Sequence, residues 1–426
     1  MSAADRAETP ASGPDSGSGA AKRDAADHDA AGAAERVIPA GYDAAASALF
    51  EPTAIRGMHL PNRFVRSATW EGMADEEGRP TPELVRLYTD LARGHVGLIV
   101  TSHAFVTLEG KAVHQQLGVH DDTMIEPLAG MAAAVHEAGG TIALQLAHGG
   151  LWSMAGADAA GDPIQPLGPS VRDTDSGPAG REMALADIQA VVEAFAAAAV
   201  RARMAGYDAV QIHAAHGYLL SSFLSPLFNR RTDMYGGSLA GRARLAVEVV
   251  AAGRAAVGED YPVLVKMNSE DFVPDGMTVD DMVAIAALLT EAGVDAIELS
   301  GGTSLSGDLG PLRTRAGIPQ DREAYYQDAA LRLNRNVRVP VMLVGGVRTF
   351  AGAEHLVNAG YADYISLSRP LVCEPDLIAR WERGDRAPST CRSDNRCFYK
   401  GLKREGMYCP HVAAAGAQPG ASGDRS

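Results

Sequence analysis

The chain has 426 residues, of which 46% are hydrophobic and 21% charged, and its 38 basic and 53 acidic side chains give a formal net charge of −15 at pH 7. This composition provides enough apolar material for a large core and excludes globally disordered and fibrous proteins. Binding to phosphate groups needs clustered Lys and Arg, and the sequence has no basic run of useful length. We therefore expect neither a nucleic-acid partner nor an anionic membrane surface as a partner.

Cysteine usage and hydropathy indicate the compartment. Four cysteines in a chain of this length do not make a disulfide framework, which favours a reducing environment. The N-terminus has no apolar signal segment, and no stretch reaches about 18 uninterrupted apolar residues. The sequence therefore predicts a soluble cytoplasmic protein.

Composition divides the chain into three parts. Residues 1–47 are mostly Ala, Gly, Asp, Ser and Pro, and such a segment cannot bury enough apolar surface to offset the entropy lost on ordering. We predict a disordered leader there and a folded domain over 48–387. A C-terminal extension and tail, 388–426, carries three of the four cysteines.

The folded domain alternates short β-branched runs with longer segments of helical period. Each run is apolar on both faces, as expected for parallel strands that are buried on two sides. The predicted strands are Arg63–Ser67, Gly97–Ser102, Thr141–Leu146, Ala209–His213, Pro262–Met267, Ala296–Ser300, Val339–Val344 and Tyr364–Leu367. The predicted helices are Pro82–Arg93, Ile125–Ala138, Asp187–Ala205, Leu239–Val257, Val279–Ala292, Arg322–Asn334, Phe350–Ala359 and Pro375–Arg383. Eight such units predict an α/β fold, a (β/α)8 TIM barrel.

The turns between units favour the barrel over an open, doubly wound sheet. An Ala-Gly pair follows four of the predicted helices, at 138–139, 205–206, 292–293 and 359–360, and glycine there fits a left-handed helix C-cap. An open sheet that binds dinucleotides would carry a G-x-G-x-x-G turn after its first strand. Here the first strand continues as Ala68-Thr69-Trp70-Glu71, which has no such turn.

Glycines and an arginine follow the last two predicted strands, where barrels of this kind often bind an anion. The seventh strand ends in Gly345-Gly346 and the eighth in Ser368-Arg369. Glycine N–H groups can approach a phosphate closely and arginine adds bidentate hydrogen bonds, so these residues predict a phosphate site. The alternative is a tight turn with Arg369 as a surface charge.

The fourth predicted strand ends in two histidines and a tyrosine, His213, His216 and Tyr218. Two neutral imidazole N–H groups can hold a carbonyl oxygen and stabilise negative charge that develops on it, and a tyrosine can donate a proton. A zinc site is one alternative, but no nearby Cys, His or Glu has the spacing of a third ligand. Two structural histidines are the other alternative.

Three motifs surround these residues. They are His213-Ala-Ala-His216-Gly-Tyr218-Leu-Leu, Phe223-Leu-Ser225-Pro226 and Asn229-Arg-Arg231-Thr-Asp233-Met-Tyr235-Gly236-Gly237-Ser238. In this order they resemble the old yellow enzyme family, the FMN-dependent NAD(P)H:flavin oxidoreductases or ene-reductases. The likeness extends from Leu49 to about Arg380, nearly all of the predicted folded part.

The resemblance implies a role for each matching position. His213 and His216 would bind the carbonyl oxygen of an α,β-unsaturated substrate, and Tyr218 would protonate its α-carbon after hydride transfer from reduced flavin to the β-carbon. Gln145 would bind the pyrimidine edge of the flavin. The other implied FMN-binding positions are Ser67, Ala68, Thr69 and His103 beside the ring, Lys266 beside its N1 and O2 atoms, and Gly345, Gly346, Ser368 and Arg369 at the ribityl phosphate.

Three departures from the family pattern are visible, of which Ala240-Gly241, in place of the usual Glu-Asn before Arg242, is local to a helix start. The other two concern the flavin. Lys266 stands where many members have arginine, and it keeps the positive charge while losing the planar fork. Trp70 stands where better-known members carry a threonine or cysteine that tunes the flavin. The charge beside the flavin is therefore expected to survive, whereas the redox potential and the shape of the pocket are not fixed by the resemblance.

The C-terminal cysteines raise the question of a metal cluster. Cys391, Cys397 and Cys409 are spaced Cys-x5-Cys-x11-Cys, close to where dienoyl-CoA reductases and amine dehydrogenases of this superfamily bind a 4Fe–4S cluster. A cluster needs four thiolates, usually with a Cys-x2-Cys start, and Asp394 stands at the expected second position. We expect a vestigial or structural cysteine group rather than a 4Fe–4S cluster or a zinc site, and we expect Cys373 to be a buried apolar residue.

These observations predict an FMN-dependent enzyme that takes hydride from NADH or NADPH and reduces the C=C bond of a small enone-type substrate. The alternative is a flavin-dependent dehydrogenase, desaturase or demethylase that runs in the oxidative direction, for which the C-terminal cysteines are the support. A flavin-binding protein without turnover is a third class, against which the intact histidine pair argues. Homo-oligomerisation is left open.

Overall fold

The structure is a computed structural model that describes residues 47–154, 165–174, 177–314 and 323–413. The predicted leader, Ser47 excepted, and the end of the predicted C-terminal tail lie outside the described residues. Within these ranges, no helix is both long enough and apolar enough to cross a membrane.

Eight parallel strands close into a barrel in chain order, with the last strand paired to the first. They are β1 (Phe64–Arg66), β2 (Leu98–Phe105), β3 (Ile142–Ala147), β4 (Ala209–Ala214), β5 (Val263–Asn268), β6 (Ala296–Ser300), β7 (Val341–Val344) and β8 (Tyr364–Leu367). Each predicted strand overlaps one of them, which confirms the (β/α)8 barrel. The largest difference is β2, which continues three residues beyond the predicted end at Ser102.

Twelve α-helices lie in the described ranges. They are α1 (Pro82–Arg93), α2 (Ile125–Glu137), α3 (Leu185–Met204), α4 (Leu219–Leu224), α5 (Leu239–Val257), α6 (Val279–Glu291), α7 (Gln327–Asn334), α8 (Phe350–Asn358), α9 (Arg369–Cys373), α10 (Leu377–Glu382), α11 (Arg396–Leu402) and α12 (Pro410–Ala413). The glycines of the four Ala-Gly pairs have φ values between +74° and +109°, so the predicted left-handed caps are confirmed.

Helix α7 begins later than predicted. Its predicted first residue, Arg322, lies outside the described residues, and the helix itself starts at Gln327. The preceding backbone is used elsewhere, because the Tyr325 N–H donates to the Gly345 carbonyl oxygen at 3.1 Å. Ala324 also adopts a left-handed φ of 58°, which is incompatible with helix.

A hairpin covers the N-terminal end of the barrel. Its strands, Thr53–Ile55 and Met58–Leu60, are antiparallel. The buried side chains of the hairpin form one apolar cluster with residues that begin barrel strands, among them Leu98, Ala209 and Ala296. The N-terminal end is therefore packed with apolar side chains, and polar side chains gather at the opposite end.

An insertion rich in Gly, Asp and Pro, Trp152–Arg181, separates β3 from α3. Its residues 155–164 and 175–176 lie outside the described ranges. The rest contains a parallel pair, Leu167–Gly168 with Arg181–Glu182, and an antiparallel pair, Arg172–Thr174 with Gly177–Ala179.

Candidate active site

Two adjoining pockets lie at the C-terminal ends of the barrel strands. The larger has a volume of about 540 Å³ and the smaller about 70 Å³, and Val344 and Ser368 line both. The larger contains the predicted residues Ser67, Ala68, Thr69, His103, Gln145, His213, His216, Tyr218, Lys266 and Ser368. The smaller contains Gly345, Gly346, Ser368 and Arg369. The structure thus brings every predicted site residue to one end of the barrel, and their roles remain predictions.

The two histidines of the β4 end face the same cavity, with ring centroids 5.2 Å apart. The Ala215 N–H donates to His213 Nδ1 at 3.2 Å, so the ring proton belongs on Nε2. His216 Nε2 lies 2.8 Å from Ser300 Oγ. Burial lowers the pKa of both imidazoles well below the usual value, and the Lys266 cation lowers both further. Both rings are therefore neutral at pH 7.

The turn after β4 sets the position of His216. Its backbone has a left-handed φ of 66°, and Gly217 follows with φ 84°. The His216 N–H donates to Asn268 Oδ1 at 3.0 Å, and the Asn268 amide donates to Asp271 Oδ1 at 3.0 Å. The last residue of β5 therefore holds the histidine in a strained conformation that is often found at functional sites.

Tyr218 lies against His213 and His103. Its ring centroid is 5.1 Å from that of His213, and its hydroxyl oxygen is 3.4 Å from His103 Nε2. Burial raises the pKa of Tyr218 to about 12. Burial, together with the charge of Lys266, lowers the pKa of His103 to about 4. Tyr218 therefore keeps its proton through the neutral range, and His103 is neutral there.

A buried polar chain connects the cavity wall to the barrel interior. Gln145 Nε2 donates to Gln211 Oε1 at 2.7 Å, and Gln211 Nε2 donates to Glu298 Oε2 at 3.0 Å. That carboxylate lies 3.4 Å from Lys266 Nζ, which also donates to Ser67 Oγ at 2.7 Å. Sequence reasoning missed Gln211 and Glu298. The sequence feature that could have identified them is a polar residue in the middle of a mostly apolar strand, Gln211 in β4 and Glu298 in β6.

A second buried network fixes the end of β1. The Arg66 guanidinium contacts Thr69 Oγ1 and lies 3.3 Å from the Glu71 carboxylate, and both charged side chains are only 1% exposed. Tyr88 OH donates to the same carboxylate at 2.9 Å. Thr69 Oγ1 lies 2.7 Å from Ser368 Oγ, so the network joins the ends of β1 and β8. It was not predicted from the sequence.

The smaller pocket is built around two glycines with positive φ, +128° at Gly345 and +83° at Gly346. A Cβ at Gly346 would run into the Tyr325 ring, and a Cβ at Gly345 would come within 2.9 Å of the Tyr326 ring. Both glycines are therefore needed for the tight turn. The same two residues also line the smaller pocket with their backbone. Arg369 is not a free surface charge, because its Nη1 donates to Arg313 O and to Asn395 Oδ1 at 2.6 and 2.7 Å.

The donor set fits FMN. Gln145 uses its amide N–H in the polar chain, which leaves its carbonyl oxygen as an acceptor, and Lys266 places a cation in the cavity wall. The glycine cradle supplies backbone N–H groups, and the Arg369 guanidinium has donors beyond those it already uses. An amide and a cation suit the polar edge of an isoalloxazine ring, and the cradle with an arginine suits a phosphate.

The third family motif, residues 229–238, does not line the cavity and has a structural role. Arg231 Nη1 donates to Pro169 O at 3.2 Å and to Met183 O at 2.7 Å, and its Nε donates to Asp233 Oδ1 at 3.0 Å. These bonds tie the motif to the insertion after β3. This motif therefore shapes the rim of the barrel, whereas His213, His216 and Tyr218 of the first motif line the cavity.

The cysteines are grouped differently from the sequence expectation. Cys373, which we set apart, has its Sγ 3.2 Å from Cys409 Sγ. Cys391 and Cys397 are both buried and line a pocket of about 10 Å³ together with Cys409. Burial raises the pKa of the Cys373 thiol to about 12 and that of Cys397 to about 11. Among the described residues, no group of three or more His, Cys, Asp or Glu side chains is arranged to hold a metal ion.

Comparison with known proteins identifies the family. Residues 48–387 match the model of the NADH:flavin oxidoreductase / NADH oxidase family. The chain is 36% identical to an NADPH dehydrogenase of Geobacillus thermodenitrificans over 77% of this chain and 91% of that protein. It is 34% identical to an NADH oxidase of Thermoanaerobacter brockii over 79% of this chain, but spans only about half (51%) of that protein.

Solved structures agree with this assignment. A 2-naphthoyl-CoA reductase in complex with 2-naphthoyl-CoA superposes with a TM-score of 0.79 at 26% identity, covering 86% of this chain and 57% of that one. An old yellow enzyme homologue from Zymomonas mobilis shares the fold, with a TM-score of 0.67 at 24% identity over 86% of this chain and 98% of that one. The resemblance found in the sequence is confirmed. The chain belongs to the NADH:flavin oxidoreductase / NADH oxidase family, the FMN-dependent NAD(P)H oxidoreductases of the old yellow enzyme type.

Proposed function

We propose that the protein uses NADH or NADPH, with FMN bound in the barrel, to reduce the C=C bond of an α,β-unsaturated carbonyl compound. The observation that supports this proposal is the convergence of His213, His216 and Tyr218 on one cavity. Their pKa values leave two neutral imidazoles and a protonated phenol at pH 7. These are the groups that an enone reduction needs at its oxygen and at its α-carbon.

Of the ten predicted FMN-binding residues, four would supply the main polar contacts at the two ends of the cofactor. Gln145 and Lys266 would bind the polar edge of the ring, and Gly346 and Arg369 would bind the phosphate. When bound, FMN accepts a hydride from the reduced nicotinamide and in turn supplies a hydride to the β-carbon of the substrate. The substrate and the nicotinamide would use the cavity one after the other.

The histidines bind and polarise the substrate. His213 carries its proton on Nε2 and can donate it to the carbonyl oxygen, and His216 adds a second imidazole to the same cavity. As the β-carbon gains a hydride, negative charge moves onto that oxygen, where the His213 N–H stabilises it. His216 would be the second donor when Ser300 Oγ donates to its Nε2, because its own proton then lies on Nδ1. Loss of one such donor typically costs about 10²–10³ in kcat.

Tyr218 completes the reaction by giving its hydroxyl proton to the α-carbon. Hydride at the β-carbon and proton at the α-carbon together saturate the double bond, and the nicotinamide leaves oxidised. The high pKa of the phenol keeps this proton in place until the α-carbon becomes basic enough to take it. The phenolate that results can be reprotonated from solvent.

Anaerobic half-reactions test the proposal. The FMN-loaded protein is reduced with NADH or NADPH in the absence of oxygen and then mixed with cyclohex-2-enone, while flavin absorbance is followed. We expect complete reduction by at least one nicotinamide and reoxidation by the enone. Absence of reduction by both nicotinamides contradicts the proposal, and reoxidation by oxygen alone favours the oxidative alternative.

A further inference from the structure

Four apolar side chains from three separate segments line the cavity that holds the two histidines. Trp70 follows β1, Leu312 lies after β6, and Phe398 and Leu402 lie on α11 in the C-terminal extension. We call these four residues the apolar wall. Leu402 is 68% exposed and Leu312 is 52% exposed, although both border a cavity. Such exposure is unfavourable in water, and an apolar ligand in the cavity would relieve it.

The extension is held against the barrel by specific bonds. Asn395 Nδ2 donates to Leu312 O at 2.6 Å, and its Oδ1 accepts from Arg369 Nη1 at 2.7 Å, so one side chain joins α11 to two barrel loops. A Cβ at Gly401 would lie 3.2 Å from the Trp70 ring, which shows how closely the helix approaches. The apolar wall is therefore a built part of the cavity rather than a loose tail.

The charged groups around the cavity limit which parts of a ligand can lie against the apolar wall. Of the described residues that line the larger cavity, only Lys266 is charged, since the pKa values of His103, His213 and His216 leave these rings neutral. Leu312 and Phe398 also line the smaller pocket, whose Arg348 and Arg369 would lie beside the FMN phosphate. Lys266 is already bonded to Ser67 and paired with a carboxylate. A carboxylate or phosphate carried beside Trp70 and Leu402 would lose part of its hydration without gaining an ionic partner in the larger cavity.

We propose that the apolar wall selects uncharged α,β-unsaturated carbonyl compounds that carry an aromatic or bulky apolar group, while the histidine pair holds the carbonyl oxygen. The inference rests on the proposed function for the identity of the polar end. The wall itself is a binding surface and can be tested without turnover. Half of the wall, Phe398 and Leu402, comes from the C-terminal extension, which lies outside the barrel strands.

Equilibrium binding to the oxidised, FMN-loaded protein tests the proposal. Dissociation constants are measured by calorimetry for 4-phenylbut-3-en-2-one, for its para-carboxylate derivative and for cyclohex-2-enone. We expect the phenyl enone to bind at least about tenfold more tightly than its carboxylate derivative. Leu402→Ser should weaken binding of the phenyl enone about tenfold or more and change that of cyclohexenone less than about twofold, since lost contacts in an apolar pocket are worth about 10–200-fold.

Tyr399→Ser is the matched control. Tyr399 lies on the same helix and is 63% exposed, but it is not among the residues that line the cavity. Leu312→Ser, on a different segment, replaces Leu402→Ser if the latter fails to fold. The proposal is overturned if the leucine variants bind all three compounds as tightly as the Tyr399 variant does, or if the carboxylate derivative binds as well as the neutral enone.

Sedimentation and flavin reoxidation distinguish two further outcomes. If the exposed leucines instead cover a second copy of the chain, Leu402→Ser changes the sedimentation coefficient and leaves the dissociation constants unchanged, which also overturns the proposal. If the enones bind as expected but never reoxidise reduced flavin, the proposed ene-reduction is wrong, whereas the selectivity of the apolar wall is supported.

Discussion

The Lys266 ammonium and the Glu298 carboxylate lie 3.4 Å apart at matching positions of neighbouring strands β5 and β6. Their side chains are 4% and 0% exposed. Lys266 lines the cavity, whereas Glu298 lies behind it and has one oxygen with no hydrogen-bond partner among the described residues. Burial lowers the pKa of Lys266, and Glu298 partly opposes this shift. The positive charge offered to a flavin is therefore one half of an internal ion pair.

Glu298→Gln should raise the reduction potential of bound FMN. Glutamine keeps the shape and can still accept from Gln211, but it leaves the Lys266 charge uncompensated, and that charge favours the anionic reduced flavin. A tenfold increase in the preference for reduced over oxidised FMN corresponds to about 30 mV for a two-electron couple. Dye-equilibration titration under anaerobic conditions measures the shift.

The change in reduction potential caused by Glu298→Gln should depend on pH. Without Glu298, Lys266 loses its proton at a lower pH, so the increase in potential should be larger at pH 6 than at pH 9. Glu248→Gln, on the outer helix α5, removes the same charge away from the cavity and should leave the potential unchanged. Equal potentials in wild type and Glu298→Gln, with full FMN occupancy in both, would rule out the internal ion pair as a tuning element.

Tyr218→Phe should separate the two half-reactions. Reoxidation by an enone needs a proton at the α-carbon, and loss of a positioned acid typically costs about 10²–10⁴ in rate. Flavin reduction by the nicotinamide needs no such proton and should change less than about twofold. Stopped-flow absorbance measures both, and equal slowing of the two would contradict the assigned role of Tyr218.

The proposed role of Tyr218 as proton donor also predicts the pH profile of the wild type. Because burial raises its pKa to about 12, the phenol is protonated from pH 6 to pH 9, and the rate of enone reoxidation should be flat over that range. In Tyr218→Phe the remaining slow rate should fall as pH rises, since solvent then supplies the proton. A wild-type rate that falls tenfold per pH unit in this window would show a different proton donor.

Much of the fold and of the site was readable from the sequence because the information is local. Buried parallel strands are short apolar runs, and barrel strands place their functional residues immediately after their C-terminal ends. His213, His216 and Arg369 were predicted in this way, and the structure places them in the two pockets. Each stands at the end of a run that is recognisable by itself.

The residues that were missed act through contacts between distant segments. Glu298 pairs with Lys266 across neighbouring strands, and nothing in either strand alone indicates the other. Phe398 and Leu402 reach the cavity because Asn395 binds a barrel loop, a contact that no periodicity reveals. The proximity of Cys373 and Cys409 likewise depends on the path of the extension.

His103 should make the protein less stable in mild acid. Its pKa is about 4 in the folded state against about 6.5 when unfolded. Between these values the unfolded chain binds a proton that the folded chain does not, so stability is fully present above pH 6.5 and is lost as pH falls towards 4. The loss amounts to about 3 kcal/mol at most.

His103→Asn measures this contribution. Urea titrations at saturating FMN give the free energies of unfolding of wild type and variant from pH 7 to pH 4. The buried His148 titrates in both proteins and cancels in the difference, whereas His213 and His216, whose pKa values His103 helps to lower, contribute a smaller change of their own. We expect the advantage of wild type over the variant to shrink by about 3 kcal/mol across this range. A constant difference would show that His103 does not titrate abnormally.

The buried Arg66–Glu71 pair should be far more sensitive to substitution than an exposed pair. Arg66→Met leaves the Glu71 carboxylate without its cation, and breaking a buried pair on one side typically costs about 3–5 kcal/mol. The matched control is Arg93→Met, which removes an arginine 3.2 Å from Asp90 on the surface and should cost less than about 1 kcal/mol. Urea unfolding of each variant at pH 7 measures both effects.

A second substitution and a pH series identify the cause of that loss. Burial already raises the pKa of Glu71, and Arg66 holds it down. In Arg66→Met the pKa of the folded state should rise further above that of the unfolded chain, so the folded variant binds the extra proton. Its deficit should therefore shrink as pH falls from 7 towards 5, and Arg66→Met with Glu71→Gln should recover part of the stability at pH 7. A deficit that is independent of pH and unchanged by Glu71→Gln would assign the loss to packing around Arg66 instead of to an uncompensated charge.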